Sequence, residues 1–376
     1  MTGAVTAVHL SSLTLSQFRS HPTARLTLDG RPLAIWGPNG AGKTSILEAI
    51  SVLSPGRGLR RAAAEDMARR PSETSWKVHA TLATPQAPRE VETSSENGAA
   101  RTVRIDGKST PQTALGELLR VLWLIPAMDR LWIEGADGRR RFLDRITLSF
   151  TPSHAEAALT YEKAMRERNR LLKDQVRDGF WYTALEMQMA DAGALLHNNR
   201  LRALERILAA QDGAETAFPV ADLALVQSEG EMPATTEEFR TALNEGRQRD
   251  LAAGRTLIGP HRSDMLGRYA AKGLPASDCS TGEQKALLLS LLLANARALQ
   301  ADTGTPPILL LDEVAAHLDA TRRAALYDEI CALGAQAFMT GTGPELFSEL
   351  GARAQGCEVT ENAGLSQATQ GPLKPV

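Results

Sequence analysis

The chain has little that ties it to a membrane, a metal or an oxidising compartment. Its three cysteines, Cys279, Cys331 and Cys357, stand far apart with no C-x-x-C pair, which argues against a disulfide framework and a cysteine-bound zinc. The longest uncharged apolar run, around Ala286 to Ala294, falls far short of the roughly 20 residues that a membrane span needs. The opening MTGAVTAVHLSSLTLSQFR lacks a basic segment followed by a long apolar block, so a cytoplasmic protein with no membrane partner is expected. The formal net charge of −2 exerts no global pull on nucleic acid, and any such binding must come from local patches. No N-K-x-D guanine signature occurs, which favours ATP over GTP.

What is present is ordinary globular material with a change of character in its middle. With 376 residues, 43% of them hydrophobic, the chain can build two or three domains. The first third alternates short β-like pieces: LTLSQFR and ARLTLDG as a hairpin, PLAIW as a buried strand, then WKVHATLAT, RTVRIDG and LRVLWLIP. From His154 to about Gln211 the pattern turns helical, with Ala158, Tyr161, Met165 and Leu172, then Leu185, Met189, Ala192 and Leu196, at helical spacings. The turn RDGF between the two runs predicts an antiparallel hairpin of helices, each on the order of 35 to 45 Å long. Thr236 is a candidate N-cap for further helix, and LIGPHRSDML reads as β-like. From Cys279 the α/β alternation returns, and the tail after Gly364 reads as disordered. The expected fold class is therefore α/β, a P-loop head split by an inserted helical domain. The expected divisions are 1–145 for the P-loop lobe, 146–250 for the helical arm, and 251–376 for the remainder of the head with its tail.

Three motifs carry chemistry. GPNGAGKTS, Gly37 to Ser45, fits G-x-x-x-x-G-K-[ST] between a strand and a helix. Gly37, Pro38, Asn39, Gly40, Ala41 and Gly42 form a loop whose N–H groups approach phosphate. Lys43 adds charge, Thr44 ligates Mg²⁺, and the helix N-terminus favours the anion. ILLLDE delivers Asp312 and Glu313 to the carboxyl end of a buried strand, where α/β sheets bind ligands. There Asp312 would hold Mg²⁺ and Glu313 would polarise the attacking water. STGEQK, Ser280 to Lys285, is a small polar turn opening an apolar helix, a second anion site with Ser280 as its N-cap.

Between a P-loop and an acidic strand, STGEQK resembles the ABC-type signature, which in that superfamily binds the γ-phosphate of ATP held by the partner subunit. That resemblance brings Ser280, Gly282, Glu283 and Gln284 into the nucleotide site, and VAAHLDA matches the D-loop with Asp319 in its acidic position. The motif order resembles the ATPase heads of SMC and Rad50. LTLSQFR, PGRGLR, GRRRFLD, YEKAMRERNRLLKD, TLIGPHRSD and STGEQKALLLSLLLA, in that order over roughly Leu13 to Thr342, narrow the resemblance to the RecF family of bacterial DNA repair proteins. Ser263 stands where an acid is more usual in that family, and GRGLR is a loose version of its basic stretch.

The resemblance implies an ATP- and Mg²⁺-dependent homodimer that acts at single-strand gaps and junctions of DNA. It also implies cooperation with RecR and RecO, help in loading RecA, and a role in the SOS response. Arg57, Arg60 and Arg61 are the DNA-contact candidates, since a guanidinium forks onto phosphate; the Arg139–Arg141 cluster reads as structural. The strand ending FMTGT carries Thr340 and Thr342 where a transporter has a switch histidine, and only Asp129 stands near the expected Q-loop glutamine. Both gaps predict slow hydrolysis, and with the resemblance they imply a weak DNA-dependent ATPase. The alternatives are an SMC, Rad50 or RecN tethering head, which needs a far longer coiled coil, and a transporter cassette, which needs the glutamine and histidine.

Overall fold

The computed structural model of the chain describes residues 7–70 and 74–373. It divides into two compact units: residues 1–129, 210–219 and 281–376 form the first, and residues 130–209 and 220–280 the second. The helical unit thus begins earlier and ends later than the expected 146–250, because it takes in the helix Ala136–Phe150 and a small sheet.

The first unit is built on two six-stranded sheets. One is antiparallel and opens with the hairpin His9–Phe18 and His21–Thr27, in the register Leu15↔Ala24. Trp76–Ala83, Arg89–Ser95 and Thr102–Ile105 continue it as a meander. The other sheet is parallel over five strands. Val121–Leu124, Ile308–Leu311, Ala337–Gly341, Leu33–Trp36 and Gln355–Asn362 lie side by side, and Leu365–Pro372 closes the edge antiparallel. Three of the parallel strands, Val121–Leu124, Ile308–Leu311 and Ala337–Gly341, are short and buried throughout, as a parallel sheet covered on both faces requires. One core joins both sheets through the helix Lys43–Ser51, whose Ile46, Leu47 and Ile50 pack with Leu13, Phe18, Ile35, Val78 and Phe338. The helix Thr281–Thr303 is apolar on all sides and correspondingly buried from Ala286 to Ala296.

The C-terminal stretch corrects one expectation. Leu365–Pro372 is not disordered but a strand paired over its full length with Gln355–Asn362. Its polar look reflects an edge position: alternate side chains face solvent, while Ser366 is buried. Only residues 374–376 of that tail lie outside the described residues.

In the second unit the helices His154–Lys173 and Phe180–Gln211 span about 30 and 48 Å at 1.5 Å per residue. Tyr161, Ala164, Met189, Leu196, Phe239 and Leu243 form its core. The helix Thr236–Glu245 is capped by Thr235 rather than Thr236: the Thr235 hydroxyl accepts from the Glu238 N–H, and Glu238 reaches back to the Thr235 N–H. The capping box places the cap three residues before its glutamate, which selects Thr235.

A charged knot holds this unit together. Arg168, fully buried, donates to Glu186, Asp250, Thr256 Oγ1 and the Leu243 carbonyl at 2.7–3.2 Å. Arg247 forks onto Glu186, and Asn169 Oδ1 accepts from the Thr256 N–H and hydroxyl. Burial raises the Asp250 carboxyl above the usual carboxylate range, against the pull of Arg168.

Candidate nucleotide site

The loop from Gly37 to Gly42 turns the end of the strand Leu33–Trp36 into the start of the helix at Lys43. Gly37, Gly40 and Gly42 hold φ of 149°, 83° and 102°, a region open to glycine and strained for other residues. At Gly42 a Cβ would also strike the Ser20 and Ser366 hydroxyls and the His21 ring. The glycines therefore serve a backbone path that points N–H groups into the loop and a close approach by the C-terminal hairpin.

Lys43 Nζ donates to the carbonyls of Gly37 and Pro38 at 2.7 and 2.9 Å, lying across the loop whose bound phosphate it would neutralise. Burial draws its pKa below the ordinary lysine range, while Glu313 and Asp312 push it back up. Thr44 Oγ1 donates to Asp312 at 2.9 Å, so the two predicted Mg²⁺ ligands already touch. The oxygen pair suits a hard cation that keeps several waters and takes few protein ligands.

Asp312 is held in place by the residue that stands where a transporter has its switch histidine. Thr340, on the strand between the P-loop strand and the acidic strand, donates to Asp312 Oδ1 at 2.8 Å and accepts from the Glu313 N–H at 2.8 Å. Glu313 itself has φ of 55°. A non-glycine residue held there carries strain, which concentrates at functional positions.

A cavity of about 700 Å³ opens over the loop, lined by Arg19, Asn39, Lys43, Thr44, Arg60 and Glu313 among others. Arg19 and Arg60 both pair with Glu48, a carboxylate buried on the P-loop helix, at 2.6 and 3.3 Å. Arg19 was missed by motif reasoning because its partner lies 29 residues away. His21 is likewise buried, and burial lowers its pKa despite its bond to the Gly42 carbonyl. Since a carbonyl only accepts, Nε2 carries the proton of the neutral ring.

The other predicted residues separate into groups. Ser280 and Gly282 are exposed, with the helix beginning at Thr281, and a Cβ on Gly282 would meet open space. Gln284 is buried. Lys285 pairs with Asp129 at 2.8 Å. Asp319 caps its own helix, accepting from the Arg322 N–H at 2.8 Å. Of the arginines, Arg57 and Arg61 are exposed, whereas Arg60 is partly spent on Glu48. Arg139 forks onto Asp264 and Arg140 donates to the Ser263 carbonyl, so those two are engaged within their unit, while Arg141 is exposed. Among the described residues no group of three or more His, Cys, Asp or Glu is placed to hold a metal, and no helix is long and apolar enough to cross a membrane.

Residues 9–364 match the family model described as the RecF/RecN/SMC N-terminal domain. The chain is 49% identical over 362 residues to the DNA replication and repair protein RecF of Rhizobium rhizogenes, covering 93% of this chain and 96% of that one. It is 47% identical over 378 residues to that of Caulobacter vibrioides, covering 95% and 97%. A solved structure of the recombination mediator protein RecF with ATP, in the RecFOR pathway, superposes with a TM-score of 0.82 at 22% identity, covering 98% of this chain and all of that one. The Smc head domain of Pyrococcus furiosus with an extended coiled coil, bound to the C-terminal domain of ScpA, gives 0.56 at 16% identity, with 97% of each chain covered.

Proposed function

The chain belongs to the RecF family of DNA replication and repair proteins, and we propose that it is an ATP-gated, DNA-binding dimer in which each subunit completes the other's nucleotide site. The observation that carries this reading is the separation of two anion-binding elements within the first unit. The cavity over the P-loop is lined from residues 19–70, Glu313 and Gly364, and Gly282 is not among them. Gly282 instead lies exposed with open space where a side chain would be. A helix N-terminus presented in this way suits a phosphate brought by another molecule, and a head-to-tail dimer brings one.

In this reading Lys43 would leave the Gly37 and Pro38 carbonyls for the β- and γ-phosphates, and Thr44 and Asp312 would hold Mg²⁺. The cation supplies charge neutralisation at the phosphates when bound. Thr340 fixes the Asp312 carboxylate, and Glu313 accepts a proton from the attacking water. With a threonine in place of a switch histidine and an aspartate near the Q-loop position, turnover is slow. ATP thereby acts as a switch between monomer and dimer rather than as fuel for a metabolic step.

The RecF relatives support placing this switch in recombinational repair. We assign it to gapped or junction DNA, with RecR and RecO as partners, RecA loading as the outcome and the SOS response as the setting. Arg57 and Arg61 are the DNA contacts favoured by exposure.

Sedimentation with and without ATP and Mg²⁺ tests the central claim. Wild type is expected to dimerise with ATP. Lys43→Met is expected to lose nucleotide binding, and Ser280→Arg to bind ATP yet remain monomeric. Dimerisation of Ser280→Arg at wild-type ATP concentrations would overturn the shared site. For DNA, Arg57→Ala and Arg61→Ala should each weaken binding to gapped duplex and reduce the salt slope by about 1.

A further inference from the structure

The second unit contains a small sheet whose role the nucleotide switch leaves unexplained. Its central strand, Ser263–Tyr269, pairs with the two-residue Leu274–Pro275 on one side and with Ala221–Gln227 on the other. Hydrogen bonds from the Ser228 N–H to the Arg262 carbonyl and from the Ala270 N–H to the Val220 carbonyl bracket the pairing. They fix its phase: in an antiparallel ladder alternate residues bond to the neighbour. Asp222, Ala224 and Val226 therefore face the central strand with their backbone groups, while Leu223 and Leu225 point theirs away from the sheet. Among the described residues, no strand pairs with that outer edge and no hydrogen bond is made by those groups of Leu223 and Leu225.

An open edge of this length is a template for another chain, and proteins normally blunt such edges with proline, lysine, a bulge or brevity. ADLALVQ has no proline, lysine or bulge, and Asp222 is its one charge. The other edges are managed differently. Lys108–Ser109 is two residues long, and Leu365–Pro372 is tied by Ser366 and Gln370 to Ser20 and Thr27. Around the open edge, Val220 and Leu266 are 41% and 47% exposed. Asp222, Glu229 and Glu231 are exposed beside it, and no salt bridge joins them to another described residue. Arg268, across from Asp222, instead donates to the Gly273 carbonyl.

We propose that the outer edge of the strand from Leu223 onward docks an extended, basic peptide segment of a partner protein, which joins the sheet as a fourth strand. The backbone of the segment would satisfy the N–H and C=O groups of Leu223 and Leu225. Its alternate apolar side chains would lie beside Leu223 and Leu225 on the inner face, and its basic side chains would meet Asp222 and the glutamates that follow. Main-chain bonds give affinity in this mode, and alternation with charge gives selectivity.

The test uses the full chain and a fluorescein-labelled peptide of alternating lysine and valine. The control is the same peptide with alternate backbone nitrogens methylated, which keeps charge and side chains but removes donors. Expected are saturable binding, at least about tenfold weaker binding of the methylated control, and slowed amide exchange at Leu223 and Leu225. Leu225→Pro, which removes an outward N–H, should weaken binding by a similar factor. Because that change can disturb the strand, a second variant carries Asp222→Lys, Glu229→Lys and Glu231→Lys. It should lose the lysine peptide and gain an alternating glutamate and valine peptide. Equal binding of the methylated control, unchanged exchange at Leu223 and Leu225, or failure of the lysine peptide to bind saturably would each overturn the proposal. So would an ATP-independent dimer abolished by Leu225→Pro, which would assign the edge to a second copy of the chain.

Discussion

The nucleotide site and the charged knot of the helical unit are both polar clusters inside a fold, yet they are held by opposite means. Around the P-loop the frame is set by backbone, with glycines at positive φ, carbonyls that Lys43 reaches within six residues, and strand ends lying side by side that bring Asp312 to Thr44. In the helical unit it is done by side chains from distant segments, with Arg168 reaching Asp250 and Thr256 across 82 and 88 residues. The candidate nucleotide site lines an open cavity with Arg19, Lys43, Arg60 and Glu313, so that an incoming charged ligand could reach them. A unit that must only hold its shape can bury them, provided every partner is present.

That contrast predicts which substitutions unfold the chain and which merely silence it. The largest effect is expected at Arg168. Arg168→Met leaves the Glu186 and Asp250 carboxylates without their shared guanidinium, and breaking a buried pair from one side costs about 3–5 kcal/mol. Chemical denaturation should show an early transition in the helical unit, while the first unit still binds nucleotide. Lys43→Met is the converse, with nucleotide binding lost and the unfolding midpoint nearly unchanged. If Arg168→Met and Lys43→Met changed stability equally, the contrast would be false.

A smaller effect divides the units by pH. His261 Nε2 donates to the Thr256 carbonyl and Nδ1 accepts from the Tyr161 hydroxyl at 2.7 Å. Burial lowers its pKa to about 4, with the Thr256 bond opposing and Arg262, Arg140 and Arg200 adding to the drop. The sign follows from linkage: the unfolded ring binds a proton near pH 6.5 and the folded ring does not. The full stability is therefore present above about pH 6.5 and is lost as pH falls toward 4. The loss is on the order of 2–3 kcal/mol. Unfolding midpoints at pH 7.5, 6 and 5 should fall in wild type and fall less in His261→Asn. An identical slope in both would remove His261 as the source.

The same contrast explains what could be read in the sequence. GPNGAGKTS, ILLLDE and STGEQK were legible because each writes its chemistry into consecutive residues, where strand, turn and helix fix the geometry. Thr340 was noticed only as an absence, because its value lies in standing on the strand between Ile35 and Leu310, a neighbourhood set by sheet order. The final strand looked disordered because an edge strand with one solvated face has the composition of a tail. RERNRLLKD reads as a family marker, and nothing in its spacing reveals that Arg168 is buried among partners from four later segments. The divisions of the helical unit moved for a related reason: Ala136–Phe150 reads as part of the head in sequence, yet packs on the strand Ser263–Tyr269.

The smallest test concerns a local rule acting inside the long-range unit. Thr235 and Glu238 cap Thr236–Glu245 reciprocally, and the helix carries Phe239 and Leu243 into the core. Thr235→Ala frees the Glu238 N–H at an exposed helix start, a loss of about 1 kcal/mol, while Thr236→Ala should change stability by no more than a few tenths, since Thr236 is already the first helical residue and alanine is a good helix former. Amide exchange in 236–240 should quicken in the first variant and barely change in the second. Equal effects would mean that the helix is held by the burial of Phe239 and Leu243 alone, and the helical unit would then depend wholly on contacts distant in sequence, its caps contributing nothing measurable.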